Sequence, residues 1–428
     1  MTIARIVLLV AAVAGAVLRP LRLPAFVAPA VGSLVALLAG LTTWSAAGRA
    51  LAPLASPLGF LLAAIPLAVM LERYGYFEQV AALFGSGRRL LPGLWVLGAG
   101  TVAVMNLDAA VVLLTPLYLR IARQQGRSEL YLGFQPVILA LVASSFLPVS
   151  NLTNLIALEK LGVGPLAVLE HLGLPSLAAC VVGYFCYRAA RRVADPALGA
   201  NGEAGSGADG RLAGARSEAR PARDLRVLAI GSAVVAVILA GFLAGPEVGI
   251  SAWEVALVAD GALMLITKRA PLGSIPWATA LVAAGLAILA AAAASGLHLQ
   301  GAFAGSGPLA ELRQSGVAAG LANIIDNLPA LLVSLPFLGA HGGAAHPYHA
   351  GAGHAACSLW PVLLGVNVGP SLLITGALAS LLWFDAMHRL GASVSAGQYL
   401  RMGLRVGLPA GLAALAVLIA LAPVVGCG

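Results

Sequence analysis

Charge is what this sequence has least of. Asp, Glu, Lys and Arg together make 10% of its 428 residues, where soluble domains carry about 25%. With 60% hydrophobic residues, a soluble chain of this length has nowhere to hide its apolar side chains, and a bilayer is the remaining solvent. Cysteine is also scarce. The four, Cys180, Cys186, Cys357 and Cys427, form no CxxC pair and lie in or beside apolar runs, so neither a zinc site nor a disulfide framework is expected. Long polar stretches are rare. One runs over 188–226, and a Gly/Ala/His-rich one over 341–354 carries His341, His346, His349 and His354. With no carboxylate and no cysteine but Cys357 at ligand spacing, the second is read as a solvated loop rather than a metal site.

Apolar runs fill the rest, at 4–18, 24–41, 57–71, 92–119, 130–158, 165–187, 225–243, 250–267, 274–295, 315–340, 356–387 and 402–425. Their lengths predict an all-α membrane protein with many spans. Arg19-Pro20 follows the first run where a cleavage site needs small residues, so that run is expected to be a helix and not a cleaved leader. The net charge of +8 lies between the runs, so topology explains it better than nucleic acid does.

The stretch 188–226 has no hydrophobic period and is expected to be a flexible linker. It divides the chain into an N-terminal transmembrane repeat, 1–187, and a C-terminal one, 227–428. At an offset of 220 residues, Gly85-Ser86-Gly87 meets Gly305-Ser306-Gly307, Gly100 meets Gly320, Asn106 meets Asp326, and Pro116 meets Pro336. Internal repeats around polar intramembrane positions are typical of secondary transporters.

Two runs are interrupted by polar residues. Asn106-Leu107-Asp108 splits 92–119, with basic residues before it at Arg88 and Arg89 and after it at Arg120, Arg123 and Arg127. A simple span would put one cluster on the wrong side, so a re-entrant hairpin with its tip at 106–108 is predicted. Asp326-Asn327-Leu328-Pro329 predicts a matching hairpin from the other face. The runs 130–158 and 356–387 exceed the ~20 residues of one crossing. They are predicted to unwind at Pro148–Asn154 and at Asn367–Pro370. Threading from an external N-terminus leaves 21 cationic residues inside and four (Arg5, Arg49, Lys160, Arg313) outside. The two repeats are then inverted, both termini are external, 188–226 is cytoplasmic and 341–354 external.

Irregular backbone survives at membrane depth only around a protein-lined or watery cavity. Four such breaks therefore predict one central site. The candidate substrate- or ion-binding residues are Asn106, Asp108, Thr115, Ser150, Asn151, Thr153, Asn154, Asp326, Asn327, Asn367 and Thr375. An intramembrane carboxyl is costly and points to function by default, and Asp108 and Asp326 suit a proton carrier. The competing roles are helix capping for the two Asp and interhelical hydrogen bonding for 150–154. Asp260, Asp385, Cys180 and Cys186 are read as scaffold. No Lys or Arg is expected at mid-membrane. No His or Cys falls at any break, which argues against a membrane-embedded enzyme.

Asn106-Leu-Asp108-Ala…Leu-Thr115-Pro116 resembles the N-D-x-A…L-T-P segment of arsenite/antimonite efflux permeases (arsenical pump membrane proteins). Leu147-Pro148-Val-Ser150-Asn151-Leu-Thr153-Asn154-Leu is similar to their L-P-x-x-S-N-L-x-N, and Asp326-Asn327-Leu328-Pro329 to their N-N-L-P. Asn367-Val-Gly369-Pro370…Thr375-Gly376…Trp383 resembles their D-x-G-P…T-x-x-G…W. The resemblance spans both halves, with departures at Leu107, Asp326 and Asn367. It implies the inverted-repeat fold of the ion-transporter superfamily, shared with sodium/proton antiporters and dicarboxylate or citrate carriers. Its implied function is efflux of arsenite, antimonite or a similar small inorganic oxyanion or neutral oxyacid across a bacterial inner membrane. The coupling ion would be a proton or sodium; no cofactor is implied. A second copy of the chain or a soluble ATPase subunit would be its protein partner. Sodium/proton exchange and carboxylate transport are the rival functions.

Overall fold

The computed structural model describes residues 1–19, 23–84, 87–195, 224–338 and 357–427. Most of the expected linker and the whole His-rich loop lie outside the described residues. So do Gly85 and Ser86 of the first repeated triplet.

Among the described residues every regular element is helical. The first half holds α1 (Thr2–Leu18), α2 (Val27–Leu38), α3 (Trp44–Leu51), α4 (Ala55–Arg73), α5 (Tyr76–Leu83), α6 (Leu90–Met105), α7 (Leu107–Gln124), α8 (Glu129–Val142), α9 (Leu152–Leu161) and α10 (Leu166–Ala189). The second holds α11 (Leu225–Ala244), α12 (Ala252–Thr267), α13 (Trp277–Ala294), α14 (Pro308–Ile325), α15 (Asn327–Ser334), α16 (Leu359–Val368), α17 (Leu378–Arg389), α18 (Ala396–Met402) and α19 (Leu408–Leu421). Among the described residues five helical stretches are long and apolar enough to cross a bilayer: Trp44–Arg73, Leu166–Ala189, Leu225–Ala244, Leu272–Ala294 and Ala396–Leu421. Val237 on α11 and Val258 and Leu265 on α12 point outward and are highly exposed, as expected of side chains that meet lipid tails rather than water.

Helices α6 and α7 double back on each other. The Tyr118 hydroxyl donates to the Leu94 carbonyl across the pair, and a Cβ on Gly98 would overlap Leu139, so the glycine lets α8 come close. Helices α14 and α15 form the second such pair, whose open end is closed by stacked Phe303 and Phe337.

Contacts sort the helix ends onto two faces. On one, Arg5 Nη1 of α1 donates to Ser295 Oγ after α13 (2.8 Å), and Ser358 Oγ before α16 donates to Leu338 O after α15 (3.5 Å). On the other, Arg123 of α7 pairs with Glu129 (2.7 Å) and donates to Leu390 O beyond α17 (2.6 Å). Ser128 Oγ donates to Asp195 there (2.6 Å). Arg120 of α7 pairs with Glu72 at the end of α4 (3.8 Å), and a pocket there joins Arg73 to Arg269.

Cys357 and Cys427 form a disulfide with Cα atoms 5.4 Å apart, which corrects the expectation of unpaired cysteines. They are 70 residues apart in sequence. The fold brings together the residues entering α16 and those leaving α19, and spacing alone gives no sign of it.

The broken spans also depart from the sequence reading. In the first, helix stops at Val142, and Leu152, Thr153 and Asn154 already lie in α9. In the second, Asn367 is helical, in the last turn of α16. The extended residues are Leu373 (φ −115°, ψ 140°) and Ala377 (φ −150°, ψ 143°). Proline at 370 suggested the break, yet Gly369–Ser371 continues as a 3-10 turn. Proline is tolerated in a first helical turn, where its missing N–H costs nothing. Gly403 and Gly407 pack directly on this segment. A Cβ on either would overlap Ser371, in the first case at its carbonyl oxygen.

Candidate functional site

The two hairpin tips have nearly the same backbone. Asn106 takes φ 84°, ψ 151°, and Asp326 takes φ 74°, ψ 155°, a region that L-residues rarely occupy and that costs on the order of 1–3 kcal/mol. Each then caps the helix it opens. Asp108 N donates to Asn106 Oδ1 (2.8 Å) and Leu328 N to Asp326 Oδ1 (3.1 Å). Asn151 does the same for α9, accepting from Thr153 N (3.2 Å). No side chain caps α17, which starts after Ala377.

All four of these helix starts meet one cleft, which holds about 750 Å³ of empty space including its open mouth. Leu107 and Asp108 of α7, Leu152 and Thr153 of α9, Asn327 and Leu328 of α15, and Leu378 of α17 line it. Helix N-termini carry partial positive charge and free N–H groups, so their convergence favours an oxygen-rich or anionic ligand. Against that field stand two carboxyl groups, Asp108 and Asp326, on the cleft wall. Asp326 is partly committed to its cap. No hydrogen bond or ion pair engages the Asp108 carboxyl among the described residues, although it is only 6% exposed.

Asn151, Thr153 and Asn327 also line the cleft. The other expected site residues do not. Thr115 sits in α7 with its hydroxyl buried, and among the described residues neither that hydroxyl nor the buried Asn106 Nδ2 has a partner. Asn154, Ser150 and Asn367 are spent on holding the first break. Asn154 Nδ2 donates to Ser144 O (3.0 Å) and Leu147 O (3.1 Å), and Ser150 Oγ donates to Ser144 O (2.5 Å). Asn367 reaches across from α16. It accepts from Asn151 Nδ2 (2.9 Å) and Thr153 Oγ1 (2.6 Å), and donates to Asn154 Oδ1 (2.7 Å) and Ser145 Oγ (3.0 Å). Its side chain has no capacity left for a ligand. Thr375 Oγ1 donates to Asn323 O (3.3 Å). Asn323 clamps the second break, donating to Gly369 O (2.8 Å) and accepting from Leu373 N (3.0 Å).

Residues that the sequence reading left out complete the wall. Val13, Ala16, Val17 and Arg19 come from α1 and its end, and Thr279, Val282, Ala283 and Leu286 from α13. Arg19, at the C-terminal end of α1, is a cation on this wall that the sequence reading did not place at the site. Its signal in the sequence was read as topology alone. The described residues hold no group of His, Cys, Asp and Glu arranged for a metal.

A model described as citrate transporter matches residues 3–363. The chain belongs to the citrate transporter family. This transporter is similar to the arsenical pump membrane protein of Escherichia coli (strain K12), at 26% identity over 384 residues, 83% of this chain and 84% of that one. It is similar to the same-named protein of Yersinia enterocolitica to the same extent. An uncharacterized transporter of Mycobacterium tuberculosis (strain ATCC 25618 / H37Rv) is 25% identical over 379 residues, 80% of this chain and 81% of that one. The family consists of membrane transporters, and the apolar helices make this chain a multi-pass one.

Proposed function

We propose that this transporter is a secondary active carrier that exports arsenite, antimonite or a similar small inorganic oxyanion against inward proton flow. The observation that carries this reading is Asp108: a carboxyl without a partner among the described residues, at the start of a half-helix, on the wall of a cleft built from four helix N-termini. Such a group takes up and gives up a proton as the cleft's exposure changes, while the N–H groups beside it hold oxygen ligands. Asp108, Asn151, Thr153, Asp326 and Asn327 form the proposed site, with Asn106 capping α7 beside it. Ser150, Asn154, Asn367 and Thr375 shape the breaks around it.

In this reading 1–187 and 227–428 are inverted repeats, and α6–α7 and α14–α15 are re-entrant hairpins from opposite faces of the inner membrane. The face bearing Arg73, Arg123, Arg269 and Arg389 is cytoplasmic, in keeping with the excess of basic residues there. The Cys357–Cys427 disulfide then lies on the outer, oxidising side, where such bonds persist. The cleft, lined by the C-terminal half of α1 and the N-terminal half of α13, opens to the cytoplasm.

A carboxylate such as citrate is the second reading, favoured by the family's description and by a cation on the cleft wall. Expression in an arsenite-sensitive host, with arsenite, citrate and sodium flux measured in parallel on reconstituted protein, separates them. Arsenite resistance together with arsenite flux driven by a pH gradient supports the first reading. Citrate flux without arsenite flux replaces it with the second.

A further inference from the structure

Arg19 holds an unusual place for an arginine. It ends α1 in the left-handed conformation (φ 45°, ψ 57°), with its N–H bonded to Gly15 O. Glycine or asparagine ordinarily fills that position, because a side chain there strains the backbone. The residue is half-buried. Among the described residues it is the one cationic residue on the cleft wall, which also carries Asp108 and Asp326. It makes no salt bridge among the described residues. A plain surface charge that only oriented the chain would do as well one residue either way, out of the strained backbone and off the cleft. Titratable groups facing the cleft from the packed elements are Asp108 and Asp326; α13 and α17 contribute only apolar and hydroxyl side chains to the wall.

We propose that Arg19 is a specificity-determining residue, which draws small oxygen-bearing anions into the cytoplasmic mouth of the cleft and keeps free cations from the Asp108/Asp326 wall. A guanidinium with no salt bridge among the described residues, on the wall of a mostly apolar cleft, focuses the local field. It also offers a fork of donors that fits oxyanion and carboxylate geometry. The ligand class that follows is an anion, and a metal cation is disfavoured as the direct cargo. The inference rests on the transport reading for its purpose, but its test does not need the cargo to be known.

The test uses the full chain in membranes with Cys180 and Cys186 replaced by alanine and Thr279→Cys placed on the cleft wall as reporter. Its rates of reaction with an anionic and a cationic methanethiosulfonate reagent are compared. With Arg19 present the anionic reagent is expected to react faster relative to the cationic one. Arg19→Gln should lower that ratio about 5-fold or more, the size of one nearby charge at a protein surface. Arg19→Lys should restore most of it, because the charge remains. Arg19→Gly should match Arg19→Gln while folding at least as well, because glycine relaxes the cap. A ratio within twofold of wild type in both Arg19→Gln and Arg19→Gly overturns the proposal, and so does an Arg19→Lys that behaves like Arg19→Gln. Loss of arsenite flux in the parent protein would overturn the functional reading and leave this ratio unchanged.

Discussion

The two hairpin tips share a backbone and differ in where they place their carboxyl. In the first, a neutral Asn106 occupies the strained position and caps α7, and the acid sits two residues on, at Asp108, with its oxygens unspent. In the second, the acid is itself the cap, Asp326, and the residue two further on is Leu328. One conformation therefore carries two chemistries. At tip two a carboxyl oxygen is held by a backbone N–H, which favours a fixed structural role. At tip one the cap is Asn106, and the carboxyl of Asp108 is left free for the proton-carrying role proposed above. The broken spans differ in the same way. The first is gripped from the opposite half by Asn367 through four buried hydrogen bonds, the second by Asn323 from its own half.

The largest structural effect is expected at Asn367. Asn367→Ala strands four buried polar partners, and each group left unsatisfied costs about 1–3 kcal/mol. Several such losses should lower the melting temperature of purified protein sharply or prevent its accumulation. Asn323→Ala, in a half-buried setting, should cost less, on the order of 1–2 kcal/mol. If thermal unfolding ranks the two the other way, the first break is not the one that the opposite half supports.

Gly403→Ala comes next. The added methyl meets the backbone of Ser371, which cannot swing aside as a flexible side chain would. Overpacking of this kind costs about 1–3 kcal/mol. The second break should shift while the first stays, as read by cysteine accessibility at 375 against 151.

Asp326→Asn should be mild. The amide oxygen keeps the bond from Leu328 N, and Asn106 shows that asparagine suits this backbone. Transport within a few-fold of wild type is expected, and complete loss would make the two acids equal partners. The smallest effect belongs to Thr375→Ala. It removes one long hydrogen bond to Asn323 O (3.3 Å), for about 0.5–1.5 kcal/mol of stability and little change in half-saturation.

The helices, the two tips and the correspondence of 106 with 326 were legible because each leaves a local trace: an apolar run, a polar interruption, a fixed offset. The second break was misplaced because Pro370 looks like a helix breaker in sequence, while the chain opens around Leu373 and Ala377. What sets that opening is Asn323, a side chain from another helix. Asn367 was read as a ligand because it is polar and intramembrane, and only its four partners show that it is full. Arg19 and the Cys357–Cys427 pair depend on contacts across the fold, to which spacing along the chain gives no guide. The charge on Arg19 was visible, but a positive residue at a helix end has a topological explanation ready to hand.

The central claim is that the free carboxyl at tip one carries the coupling proton. Its most direct test is arsenite flux into reconstituted vesicles under an imposed pH gradient, for wild type beside Asp108→Asn. The amide keeps the size and polarity of the residue and leaves the Asn106 cap intact, so folding should be preserved. The expected result is a folded variant whose flux no longer responds to the gradient. Wild-type flux with wild-type dependence on the gradient would make Asp108 a structural residue and contradict the claim.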